Sequence, residues 1–311
     1  MAHSPQQNLL HRLWIYQSER FPLFRTAFIL AIFSSASVCA SAHMGSRSLP
    51  ELKAYLVAFM VTLILFFQLR ACDEVKDLED DRRFRPERAI PRGLVPLKLI
   101  IGIAAGLTVV AAVITGIYRS ILLIPLFMVW TWLALMAMEF FVPEWLKARP
   151  LAYLVSHMLI MPLIDFFITA CEWLPYGFAP PPGVWLFLAL SFANGCVFEF
   201  GRKLYAPENE RTGVETYSAV YGVRNAALMW SGCVFTAYIL LILIAYVMGS
   251  LTVVLPLGSI VMFIALGFSY TYIKTPTPKM QKIMDDISGC WVFACYSLAG
   301  YAPFLMKVIS Q

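Results

Sequence analysis

Ala54-Tyr55-Leu56-Val57-Ala58-Phe59-Met60-Val61-Thr62-Leu63-Ile64-Leu65-Phe66-Phe67-Gln68-Leu69 carries hardly a polar group and leads into Arg70-Ala71-Cys72-Asp73-Glu74-Val75-Lys76-Asp77-Leu78-Glu79-Asp80-Asp81. The first part has the apolar character of a bilayer-crossing helix. The second holds six carboxylates within the nine residues from Asp73 to Asp81. Asp73, Asp77 and Asp81 are spaced four apart, so on a helix they stack along one face with Glu74 beside them. Carboxylates stacked in this way repel one another unless a cation lies among them. Magnesium prefers hard oxygen ligands and usually binds through one or two carboxylates together with substrate phosphates. The stretch therefore predicts a membrane helix that ends in a metal and diphosphate site at one face of the bilayer.

The rest of the chain supports the membrane reading. Of the 311 residues, 60% are hydrophobic and only 14% charged, a balance outside that of soluble domains. Apolar runs of about 20 residues, the length of a bilayer crossing, predict nine spans near 22–44, 54–72, 98–118, 121–142, 151–171, 184–204, 225–248, 251–273 and 289–307. The expected fold class is all-α: a polytopic membrane protein of about nine helices around a central cavity, one domain over 1–311. Residues 1–20 read as a cytoplasmic N-terminal segment without the apolar core of a cleavable signal. Under this threading, 20 of the 24 Lys and Arg fall on the side of the N-terminus, leaving Arg47, Lys53, Arg119 and Lys307 on the other. The positive-inside rule then places the N-terminus and the carboxylate row in the cytoplasm, in the cell inner membrane or its equivalent. The net charge of +5 sits in loops between spans, so no nucleic-acid partner is expected. The seven cysteines form no CxxC pair, which argues against a zinc site or disulfide framework.

The loop after the second span continues Arg82-Arg83-Phe84-Arg85-Pro86-Glu87-Arg88-Ala89-Ile90-Pro91-Arg92-Gly93. Arginines here would grip phosphate oxygens in bidentate fashion. Together, Asp73-Glu74-x-x-Asp77-x-x-x-Asp81 and Arg88-Ala89-Ile90-Pro91-Arg92-Gly93 resemble the first aspartate-rich motif of the UbiA-type membrane prenyltransferase superfamily. That motif runs Asn-Asp-x-x-Asp-x-x-x-Asp and is followed by Arg-Pro-x-Pro-x-Gly. Here Asp73 replaces Asn, Glu74 the first Asp and Ala89 a proline, while Asp77 and Asp81 match. The resemblance implies Mg2+ held by Asp73, Glu74, Asp77 and Asp81, with Arg70, Lys76, Arg88, Arg92 and Arg202 binding a substrate diphosphate.

The superfamily also carries a second aspartate-rich motif at the end of its sixth span, for a second magnesium. This chain departs from it. The region reads Asn194-Gly195-Cys196-Val197-Phe198-Glu199-Phe200-Gly201-Arg202-Lys203 and contains no Asp before its tail, Glu210-Arg211-Thr212-Gly213-Val214-Glu215-Thr216. Glu199, Asn194 and Glu208 are the remaining candidates for a metal shell, and Arg202 and Lys203 stand where acids are expected. Glu199 and Lys203 are one helical turn apart, so a plain ion pair at the membrane edge is the simpler reading. Asp73, Asp77, Asp81, Glu199 and Lys203 form the candidate catalytic set. Inside the fifth span His157 and Asp165 share a face, with Pro162 between them to kink the helix or free a backbone carbonyl. Ionisable groups within spans mark function by default, so both join Asn194 as pocket candidates.

The activity implied is magnesium-dependent transfer of a prenyl group from a prenyl diphosphate to an acceptor that the sequence does not identify, within the lipid bilayer. Two rival reactions share the scaffold: terpene cyclisation of a prenyl diphosphate, and phosphoribosyl transfer to a polyprenyl phosphate, to which Gly201-Arg202-Lys203-x-Tyr205 bears some likeness. A non-enzyme rival is a divalent-cation permease. Its ionisable groups should line the midplane of several spans rather than cluster at one face.

Overall fold

The computed structural model describes residues 8–309. It is 82% helix with no strand among the described residues, so the chain is all-α. Among the described residues, seven stretches are long and apolar enough to cross a bilayer. The longest, Leu97–Ala137, has 41 residues. At 1.5 Å per residue this is about twice the thickness of the hydrocarbon core. It divides at a tight turn over Ser120–Leu122 into α5 (Leu97–Arg119) and α6 (Leu123–Ala137).

The elements before that division are α1 (Leu9–Arg20), α2 (Leu23–Met44), α3 (Leu52–Lys76) and α4 (Leu78–Phe84). After it come α7 (Pro143–Lys147), α8 (Pro150–Met158), α9 (Ile160–Trp173), α10 (Val184–Gly201), α11 (Tyr217–Tyr221), α12 (Val223–Val247), α13 (Leu251–Lys274) and α14 (Pro278–Ile309). Successive long helices pack side by side, and α14 returns to α2, closing a ring. Small residues permit that closure: Gly300 of α14 lies against the Ala36 backbone of α2, where a Cβ would have no room.

Proline explains the break in the fifth apolar segment. Pro162 lacks the N–H that would bond to Met158, and its ring clashes with that carbonyl. Accordingly α8 ends at Met158 and α9 begins at Ile160. The sixth segment needs a different device. Where α10 ends, Gly201 lies so close to Ser288 of α14 that any side chain would collide. That contact fixes the end of α10 against α14.

The middle of the bundle is filled by side chains from α2, α9, α10 and α14. Asp165 is fully buried there, accepting hydrogen bonds from Ser37 Oγ (2.7 Å) and Tyr296 Oη (2.6 Å). Phe33 and Phe187 pack edge-on against the Tyr296 ring. Away from the carboxylate row, Glu172 is buried between Ser41 and a two-pronged Arg47. These acids have their hydrogen-bonding demand met within the protein, as a low-dielectric interior requires.

Candidate functional site

The carboxylate row begins on the last turns of α3 and crosses into α4. Asp77 is the joint: it ends α3, yet the bonds Asp77 N–H to Asp73 C=O (2.9 Å) and Asp81 N–H to Asp77 C=O (2.7 Å) keep helical spacing. The predicted alignment of Asp73, Asp77 and Asp81 follows from that continuity. Their surroundings differ sharply. Asp81 is buried and held by Arg88 (2.8 Å) and Arg85 (2.9 Å). Glu74 is buried and paired with Arg20 of α1. Glu79 and Asp80 point to solvent. Asp73 has only Arg70 nearby, at 3.7 Å, and 41% of its side chain is open. Asp77 is paired with no cation within 4 Å; burial, then the neighbouring Asp73 and Asp81, push its carboxyl above the usual carboxylate range.

Across from the row stands a second group, on α8 and the end of α10. Lys76 donates to Tyr153 Oη at 2.6 Å and contacts His157 Nε2 at 3.0 Å and Glu139 at 3.7 Å. The His157 tautomer follows from its partners. A backbone carbonyl only accepts, so Nδ1–H donates to Tyr153 C=O (2.9 Å); an ammonium only donates, so Nε2 accepts from Lys76. The imidazole is neutral and lies flat on the Tyr153 ring, with centroids 3.8 Å apart. Glu139 reaches Lys76 through an unusual turn in which Glu139, Phe140 and Phe141 all have positive φ. Non-glycine residues adopt that region at a cost of about 1–2 kcal/mol each. Such strain is characteristic of functional segments.

Glu199, 5% exposed, is shared by Arg202 and Lys203, the latter at 2.9 Å. Lys203 also lies over the rings of Tyr153 (5.8 Å) and Tyr217 (5.6 Å). The carboxylate of Glu199 holds the Arg202 guanidinium charged well above its ordinary range, with Asp73 contributing to the same field. Arg70 feels the positive charge of Arg202 in turn. The ends of α3 and α10 thus face each other with opposite charge: open carboxylates on one side, a surplus of cations on the other.

The loops seal this end. Arg211 pairs with Glu87 at 2.9 Å, and Gly213, at φ +80°, lies where any side chain would strike Phe84. Thr216 caps α11 and donates to both oxygens of Glu210. These bonds fasten the tail, residues 210–216, as a loop. Glu208 is exposed. Arg92 pairs with Glu19 at 2.7 Å and donates to Glu87 C=O.

Among the described residues no three His, Cys, Asp or Glu side chains gather into a metal shell. The structure brings Asp73, Asp77, Arg70, Lys76, His157, Glu199, Arg202 and Lys203 to one end. It ties Glu74, Asp81, Arg88 and Arg92 into ion pairs beside them. Asp165 belongs to the bundle interior, with its partners on α2 and α14. Asn194 is buried on α10, with the Cys295 thiol of α14 as its neighbour. Sequence reasoning missed Tyr153 and Arg20. Tyr153 stands one helical turn before His157, so the i, i+4 rule that grouped the aspartates also places it on the same face.

Residues 32–284 match the family model for the UbiA prenyltransferase family. Two solved structures have the same fold. One is the apo structure of a UbiA homologue from Aeropyrum pernix K1, with a TM-score of 0.67 at 14% identity, covering 89% of this chain and 98% of that one. The other comes from work on a digeranylgeranylglyceryl phosphate synthase in membranes, with a TM-score of 0.60 at 17% identity, covering 93% and 99%. No curated protein sequence matches the chain.

Proposed function

This chain belongs to the UbiA prenyltransferase family, and we propose that it transfers a prenyl group from a prenyl diphosphate, with Mg2+, to an acceptor within the membrane. The observation that carries the proposal is the arrangement at one end of the bundle: two carboxylates without a close ion pair, Asp73 and Asp77, stand beside Arg70 and Lys76 and across from Arg202 and Lys203. Two aspartates with space for phosphate oxygens fit a single magnesium. Asp77 supplies the clearest sign of fit, because it lies among carboxylates with no cation of its own. Bound there, the metal would neutralise diphosphate charge and make it a better leaving group.

The chain's own residues do the rest. Glu74 and Asp81 act from behind: they hold Arg20, Arg85 and Arg88, and so fix the bend between α3 and α4 that presents Asp73 and Asp77. Lys76 and Arg70 are placed to meet phosphate oxygens as the carbon–oxygen bond breaks and the diphosphate takes the electron pair. His157, Tyr153 and Glu139 hold the Lys76 ammonium at the site. We read α14 and the two legs α5 and α6 as crossings in addition to the other apolar segments, giving nine. The basic loops then put the site on the cytoplasmic side.

Purified protein incubated with Mg2+ and radiolabelled prenyl diphosphates of several chain lengths tests this reading. Release of diphosphate that requires an added acceptor supports transfer. Release without an acceptor, yielding a cyclic hydrocarbon or alcohol, replaces transfer with cyclisation. No release with any chain length, together with Asp77-dependent metal uptake into vesicles, makes the protein a permease.

A further inference from the structure

Resting on the diphosphate reading above, we propose that the end of α10 is a metal-free anion site. In it Arg202 and Lys203 bind phosphate oxygens directly, leaving the protein with one divalent cation site, at Asp73 and Asp77.

The case starts from Glu199. A single buried carboxylate there is shared by two cations. Arg202 engages one Glu199 oxygen and Lys203 the other, so two cations already neutralise the charge that would draw a metal there. Recruiting a dication to Glu199 would also bring it against a guanidinium and an ammonium, with no further acid gathered around it among the described residues. Asp285, at the foot of α14, is in the field of Arg202, but it adds one carboxylate to a cluster that already holds two cations. In direct contact, two cations outnumber the one carboxylate, so the end of α10 disfavours a dication and favours an anion.

The two cations also remain available. Side-chain exposure is 41% for Arg202 and 32% for Lys203, so both remain accessible while Glu199 anchors them. Arg202 presents a planar fork suited to two phosphate oxygens, and Lys203 a point charge that rotates freely. The rings of Tyr153 and Tyr217 flank the ammonium and limit its wandering. Helix ends of this polarity carry a partial negative charge and ordinarily disfavour anions. The same partial charge steadies Arg202 and Lys203 where they stand, and their full positive charges outweigh it for an incoming anion. Asp73 lies in the field of Arg202, so one diphosphate would be held by a metal on its α3 side and by these cations on its α10 side.

The test uses the full-length protein in lipid nanodiscs, with inorganic pyrophosphate and Mn2+ as probes. Electron paramagnetic resonance counts bound Mn2+; titration calorimetry in EDTA measures pyrophosphate without metal. One Mn2+ per chain is expected with pyrophosphate present. Pyrophosphate binding in EDTA should weaken about tenfold in Lys203→Gln and in Arg202→Gln, the scale of one charge-assisted contact. The Mn2+ count should stay unchanged. Arg202→Lys and Lys203→Arg should recover most of the loss, which separates lost charge from misfolding. Two saturable Mn2+ per chain, or pyrophosphate affinity in EDTA indifferent to both Gln variants, overturns the proposal. Two Mn2+ with active prenyl transfer sinks this inference alone. One Mn2+ with metal-free pyrophosphate binding but no diphosphate release leaves it standing and sinks the transferase reading.

Discussion

The acids at the end of α3 and those in the body of the bundle are the same chemical groups in opposite situations. Asp165 receives hydrogen bonds from Ser37 and Tyr296, and Glu172 receives them from Ser41 and Arg47. Every oxygen of these two acids is already held by a partner on the protein. Asp73 has one loose neighbour. Asp77 has no close ion pair among the described residues, so burial and the charge of Asp73 and Asp81 outweigh the pull of Arg85 and Lys76. The difference teaches that burial of an acid does not by itself mark a site. What marks it is an acid whose demand the protein leaves unmet.

Several measurements would sharpen or break that contrast. The largest effect is expected at Asp77. Asp77→Asn should lower prenyl transfer about 10²–10³-fold, the scale of removing one group that stabilises developing charge, while thermal unfolding of the metal-free protein is undiminished. If unfolding temperature falls as steeply as activity, Asp77 belongs with Asp165 and the contrast fails. Next comes Glu172→Ala. Removing one partner of a buried pair leaves Arg47 uncompensated, at a cost of about 3–5 kcal/mol. Chemical denaturation should show this loss, and the protein that remains folded should turn over normally.

A smaller loss is expected for Asp165→Ala, which strands the Tyr296 hydroxyl for about 1–3 kcal/mol while Ser37 keeps its bond to Phe33 C=O. Prenyl transfer per folded molecule should not change; a selective loss of turnover would return Asp165 to the site. The pH dependence is subtler. Because the Asp77 carboxyl is raised in the folded state, its contribution to stability is fully present below its unfolded value. That contribution is lost as pH rises through the folded one. Relative to Asp77→Asn, the metal-free wild type should therefore weaken as pH rises through the carboxylate range, and added Mg2+ should restore it. Unfolding followed across that range, with and without Mg2+, checks the sign. The smallest effect belongs to Arg211→Ala. Its partner Glu87 is solvent-exposed, so loss of the pair should leave the unfolding temperature unchanged.

Much of this architecture was legible in the chain. Apolar length announced the spans, and Pro162 placed the break between α8 and α9, because both follow from local physics. Four-residue spacing likewise placed Asp73, Asp77 and Asp81 on one face. Which of them would remain open was not legible. Arg20 reaches Glu74 across 54 residues, and no sequence rule foretells that partner. The turn at Glu139 was hidden for a related reason. Its positive φ values belong to residues that do not favour them, so it is imposed by packing: Phe140 lodges against Trp132 and His157. The departure at Arg202 and Lys203 was plain in sequence, but its meaning depended on seeing both cations converge on Glu199.

The closure of α14 on α2 has a consequence for how a membrane-dissolved molecule gets in. A hydrophobic tail can enter sideways only where two neighbouring helices part. At Gly300 and Ala36 the backbones themselves touch, and hydroxyls of Ser35 and Tyr301 bond across the same seam at 2.6 Å. That seam is a hinge post rather than a door, so the lateral portal for lipid must open elsewhere around the ring.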